Sequence, residues 1–113
     1  MHPEADATVM VVMTTLPDAP AAEALAERLL EERLVACANV LPGARSIYRW
    51  EGEIRRDREV VVILKTTRAA LPRLRERFPA LHPYDVPELV AMDVADGAEA
   101  YLDWVRSETG RLT

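Results

Sequence analysis

Val60-Val61-Val62-Ile63-Leu64, closed by Lys65, is an unbroken apolar run of strand length. An amphipathic helix would interrupt such a run with polar positions, so these residues form a strand that needs cover on both faces. Val9-Met10-Val11-Val12-Met13 has the same character near the amino terminus, and residues 8–15 and 59–67 are read as strands. Between them, Asp18 is placed to cap a helix with Pro20 in its first turn, and Ala22, Leu25, Ala26, Leu29 and Leu30 recur at helical spacing. That helix is expected to end near Arg33. Residues 34–41 form the next strand, stopped by Pro42-Gly43, and residues 45–50 extend again before the Glu51-Gly52 turn. By alternation, Ala36, Ala38 and Val40 share one face of this strand and Val35, Cys37, Asn39 and Leu41 the other, so Cys37 and Asn39 look away from the helices.

Beyond Lys65, Leu71, Leu74 and Phe78 mark a second helix, which Pro79 is expected to stop or kink at Phe78. Pro79, Pro83 and Pro87 make residues 81–87 a stiff extended loop, residues 88–94 the last strand, and Ala98, Tyr101, Leu102 and Val105 a short third helix capped by Gly110. The order β-α-β-β-α-β with a C-terminal helix is that of an α+β ferredoxin-like sandwich, one sheet with two helices on one face. Residues 8–113 make a single domain behind a flexible tail, residues 1–7, in which His2 is a bystander.

Two helices cover only one face of a sheet whose strands are apolar on both, so a second subunit is expected to cover the other. The charge of −5 and pI near 5.0 give no attraction for a polyanion, which argues against a nucleic-acid partner. No apolar run is long enough to span a membrane, and the first residues do not resemble a signal peptide. A cytoplasmic protein is expected, and the lone Cys37 fits a reducing compartment. Thirteen arginines accompany one lysine, Lys65. Either a site there needs a compact ammonium that a planar guanidinium cannot replace, or codon usage left one lysine behind.

Five blocks carry a resemblance: Leu34-Val35-Ala36-Cys37-Ala38-Asn39-Val40, Ser46-Ile47-Tyr48-Arg49-Trp50-Glu51-Gly52-Glu53-Ile54, Leu64-Lys65-Thr66-Thr67, His82-Pro83-Tyr84-Asp85-Val86-Pro87-Glu88 and Tyr101-Leu102-Asp103-Trp104-Val105. In this order and spacing they resemble the CutA divalent-cation tolerance family. The resemblance implies a homotrimer of PII-like architecture, a role in tolerance of divalent metals with copper as a candidate ion, and no catalytic activity. Some relatives carry additional cysteines, whereas one thiol per chain excludes a multi-thiolate site within a subunit.

Cys37 and His82 are the soft and borderline donors that copper and zinc accept, and Glu88 or Glu59 would add oxygen ligands; no metal is obligatory for folding. The alternative is a cysteine packed as a small hydrophobe and a histidine hydrogen-bonded within its loop. Asn39, Tyr48, Trp50, Glu59, Lys65 and Tyr84 are candidates to line a cleft between subunits, as aromatic walls with a few charges do in ligand pockets, or else to pack the interface itself. No serine is accompanied by a base and an acid, and four glycines make no phosphate loop, so an enzyme is not expected. Two functions follow: a metal-binding trimer, or a PII-like regulatory or scaffolding trimer holding a small molecule or protein in its intersubunit cleft.

Overall fold

A computed structural model describes residues 7–110; His2 and the start of the expected tail lie outside these. Seven elements follow in order: β1 (Val9–Leu16), α1 (Ala19–Glu31), β2 (Cys37–Trp50), β3 (Glu53–Thr67), α2 (Leu71–Leu81), β4 (Val90–Asp93) and α3 (Glu99–Glu108). The four strands form one antiparallel sheet in the order β2-β3-β1-β4, the expected ferredoxin-like arrangement with the two apolar runs at its centre. Val12, Leu16, Val60, Val62 and Leu64 point to one face and are buried with Leu25 and Leu29 of α1 and with Leu74 and Phe78 of α2. Asp18 caps α1 as expected, accepting the Ala21 N–H at 2.8 Å.

Five expectations are corrected. β2 begins at Cys37 rather than at Leu34, and ahead of it alternation fails: Val35 is buried in the core that α1 and α2 cover, and Ala36 packs with Val105 of α3. Pro42-Gly43 does not stop a strand: β2 runs through it as a β-bulge, in which the register changes from Leu41 opposite Val61 to Ala44 opposite Glu59, and Gly43 takes the positive φ of 88° that such a kink requires. β3 begins at Glu53, not near Glu59, because its first six residues pair with β2 in an arm with both faces in solvent; no apolar alternation marks it. Pro79 does not end α2, which continues to Leu81. The missing proline donor leaves the Arg75 carbonyl without its helical partner, but both residues are exposed, so that carbonyl is not desolvated, while His82 N–H closes the last turn on Phe78 O at 3.0 Å. Finally, Gly110 follows the C-cap Thr109 in the left-handed conformation expected of a helix-ending glycine, φ 87°, but its N–H goes to Arg33 O rather than back to α3.

α3 packs Val105 and Leu102 against Val9 and Ala36, and Val9 has the opposite parity from Val12, so this helix crosses one end of the face that α1 and α2 leave free. The rest of that face holds half-buried Val11, Met13, Val61 and Ile63, with Leu41, Val90 and Met92 exposed by 44%, 49% and 46%. The apolar face that the sequence requires to be covered is thus only partly covered within one chain.

Because Pro79 interrupts an exposed turn without packing into the core, Pro79→Ala restores a donor and should raise the unfolding free energy by about 1 kcal/mol or more, whereas Phe78→Ala should lower it by about 3–5 kcal/mol. Urea unfolding of both variants checks the contrast.

Candidate functional site

The residues singled out by sequence fall into two clusters. The first surrounds Lys65, which stands opposite Cys37 across the β2–β3 ladder and opposite Val11 across β1–β3. Its Nζ donates to Asn39 Oδ1 at 2.8 Å, lies 3.8 Å from Cys37 Sγ, and sits 6.0 Å above the centre of the Tyr101 ring on α3. Cys37 Sγ is 3.6 Å from the Tyr101 hydroxyl. The hydrogen bond to Cys37 and then burial push the Tyr101 phenol above its ordinary pKa. Cys37 and Asn39 do face away from α1 and α2, but the same face is where α3 lies, so Cys37 is half-buried beside a helix that alternation within β2 could not place.

The second cluster gathers where the hairpin arm meets the loop after α2. Tyr48, Trp50, Arg55, Glu59, Tyr84 and Glu88 line a groove of about 790 Å³. The Tyr84 hydroxyl donates to Glu59 Oε2 at 2.8 Å, and burial followed by this bond drives the Tyr84 phenol far up. Tyr48 donates to Asp57, which raises its own pKa. Glu88 is raised by burial and then by the negative charge of Glu59. Four carboxylates, those of Asp57, Glu59, Asp85 and Glu88, thus line one groove together with the Arg55 guanidinium.

His82 stands behind this groove rather than in it. It is buried, its Nδ1 accepts the Tyr84 N–H at 3.1 Å, and the ring proton is therefore on Nε2, which donates to the Thr15 carbonyl at 2.9 Å with Thr14 Oγ1 at 3.2 Å. Burial lowers its pKa. The Thr14–His82 contact brings together a hydroxyl and an imidazole, yet Thr14 is fully buried and Nε2 carries a proton, so no base faces a substrate.

The structure does not bring Cys37 and His82 together. Cys37 belongs to the level of Val11 on the free face, and His82 to the level of Thr14 and Thr15. Nor does it unite the six cleft candidates: Asn39 and Lys65 join Cys37, while Tyr48, Trp50, Glu59 and Tyr84 line the groove with Glu88. No group of three His, Cys, Asp or Glu side chains suited to a metal ion occurs among the described residues. Sequence reading missed Tyr101 and Asp57. Tyr101 was signalled by Trp104 one turn on, their rings 5.8 Å apart, and Asp57 by its position two residues before Glu59 on one face of β3.

Residues 10–108 match the family model described as CutA1 divalent ion tolerance protein. The chain belongs to the CutA1 family. It is 52% identical over 100 residues to the divalent-cation tolerance protein CutA of Thermus thermophilus, covering 88% of this chain and 97% of that protein. The Pyrococcus horikoshii protein of the same name is 48% identical over 101 residues, covering 89% and 98%. Among solved structures, CutA1 from Oryza sativa superposes with a TM-score of 0.89 at 37% identity, covering 95% of this chain and 98% of that one. The Thermus thermophilus structure gives 0.87 at 51% identity, covering 90% and 99%. The ferredoxin-like α+β fold read from the two apolar runs is therefore the fold of this family.

The His82 environment has a measurable consequence. Its neutral ring is favoured in the folded state, so protonation of the unfolded chain below the ordinary value of 6.5 draws stability away as pH falls. Wild type should lose stability between pH 7.5 and 5.5 relative to His82→Gln, in paired urea titrations at each pH; parallel behaviour of the two would contradict the buried neutral ring.

Proposed function

We propose that this chain is the subunit of a non-catalytic, cytoplasmic homotrimer that binds copper or another divalent metal ion as cargo, with Cys37 as its soft donor. The observation that carries the reading is the half-covered apolar face of the sheet. Leu41, Val90 and Met92 are exposed there, Tyr101 and Trp104 of α3 add aromatic surface, and on the opposite face of the arm Ile47 and Ile54 are exposed by 64% and 62%. Burying this surface between subunits supplies the missing cover. It also accounts for the incompleteness of both clusters, since each lies on or beside the face where neighbours would meet.

Metal chemistry is divided accordingly. Cys37 offers one thiolate, and a soft ion there must compete with the Lys65 ammonium, so further ligands have to come from neighbouring subunits or water. Glu88, with Glu59, offers oxygen donors that suit harder ions. His82 would have to give up its bonds to Thr15 and Tyr84 before a ring nitrogen could ligate. The names of the Thermus thermophilus and Pyrococcus horikoshii relatives, divalent-cation tolerance proteins, support a metal as the cargo. No helix among the described residues is long and apolar enough to cross a membrane.

A second reading, a PII-like regulatory or scaffolding trimer, is favoured by one observation: the groove that Trp50, Tyr48 and Tyr84 wall is of ligand size and stands at the edge of the same face. In that reading metal binding is incidental.

Sedimentation equilibrium at micromolar concentration should return three times 12.7 kDa, and a stable monomer would refute the assembly. In competitive copper(I) titrations, Cys37→Ser should lose tight binding while remaining trimeric. Undiminished copper(I) affinity in Cys37→Ser would leave the groove as the functional site.

A further inference from the structure

Away from both clusters, the ends of all three helices converge on a cavity of about 410 Å³. The C-terminal end of α1 contributes Glu32, Arg33 and Leu34, the N-terminal end of α2 Ala70 and Arg73, and the end of α3 Arg106 and Thr109. In a chain of net charge −5, three guanidinium groups around one cavity are an unexpected concentration of positive charge. The single acid on the wall does not offset them. Both oxygens of Glu32 accept from Arg77 at 2.8 Å, and Arg28 adds a third bond at 3.1 Å. The bond to Arg77 first, and then that to Arg28, outweigh burial and hold this carboxyl at about 2.

Two of the three arginines are fixed in place, and one of them, Arg33, meets no carboxylate among the described residues. Arg33 ends α1 in the left-handed conformation, φ 58°, with its N–H bonded to Leu30 O at 3.0 Å and Leu34 N–H to Leu29 O at 2.9 Å. Its carbonyl accepts the Gly110 N–H at 2.9 Å, while its Nε and Nη2 donate to Gly110 O and Ser107 O, each at 2.8 Å. These partners are neutral carbonyls, so they orient the fork and leave its charge whole. Arg106 is tied by Nε to Ala7 O at 2.8 Å and by Nη1 to the exposed carboxylates of Asp103 at 2.9 Å and Glu99 at 3.6 Å, which share its charge. Ala7, assigned to the tail by sequence, is thus bonded to the domain. Arg73 is exposed and has no ion pair among the described residues. It sits in the first turn of α2, an eleven-residue helix whose N-cap, Ala70, offers no side-chain acceptor.

A fixed guanidinium that meets only neutral carbonyls, an exposed second one, and a third whose charge Asp103 and Glu99 share favour one ligand chemistry, a compact multivalent oxyanion. We propose that this cavity is a binding site for a phosphate group, presented as inorganic phosphate or as a small phosphomonoester, with Arg73 as the residue that closes on it and Arg33 and Arg106 as its preset wall. The cavity is larger than phosphate alone, and Leu34 and Ala70 supply an apolar side for the organic part of a monoester. This site shares no residue with the thiol cluster or the groove, so it stands or falls independently of the metal reading.

The test is calorimetric titration of the full chain with inorganic phosphate and with glycerol 3-phosphate, at ionic strength held constant by sodium chloride. Saturable binding of one ligand per chain is expected. Arg73→Glu should weaken it about tenfold or more, the loss of one charge-assisted contact replaced by repulsion. Arg75→Glu, the same charge change on an exposed position of the same helix outside the cavity, should leave it unchanged. Tighter binding of glycerol 3-phosphate would identify a monoester as the ligand, and equal binding the free phosphate. Absence of saturable binding to wild type, or equal weakening by Arg73→Glu and Arg75→Glu, would overturn the proposal.

Discussion

The pairing of β1 with β3 is the constraint on which everything else rests. Eight residues of each strand run in register, from Val9 opposite Thr67 to Leu16 opposite Val60, and almost all are apolar or threonine. Such a ladder presents two apolar faces. α1 and α2 cover one of them and bury Val12, Val62 and Leu64 completely; burying side chains of this size supplies the favourable free energy of folding. The second face receives only α3 at one end. The fold therefore leaves part of an apolar face uncovered within one chain, and the residues with chemical character, Cys37, Lys65 and the groove aromatics, are distributed along or beside it.

This much was legible because it depends on local pattern. An unbroken apolar run, an aspartate before a proline-started helix, and alternation along a strand each report on their own neighbourhood. The misreadings share a cause too. Pro42-Gly43 and Pro79 are punctuation by local rules, but the β2–β3 ladder continues past the first, and an exposed carbonyl makes the second tolerable. The outer half of β3 gave no signal, since neither of its faces is buried within the chain and charged residues alternate with nothing.

The candidate site was legible as a set of residue types and not as a geometry. Cys37 and Lys65 are 28 positions apart in sequence and become neighbours through the β2–β3 register, which alternation within one strand cannot reveal. His82 shows the opposite limit. Its chemistry suggested a ligand, whereas both its nitrogens are engaged by backbone groups, Thr15 O and Tyr84 N–H, and backbone partners leave no trace in the identity of side chains.

The bulge at Gly43 works as a phase shifter. Along β2, Cys37 and Asn39 occupy odd positions on the free face, yet after the one-residue slip it is even positions, Ser46 opposite Asp57 and Tyr48 opposite Arg55, that share the face of Glu59. The entire aromatic wall of the groove owes its orientation to one inserted residue. Chains of this architecture that lost that residue would keep Tyr48 and Trp50 in sequence while turning them to the opposite side of the arm. Matching by residue identity alone would then report a groove that had been dismantled.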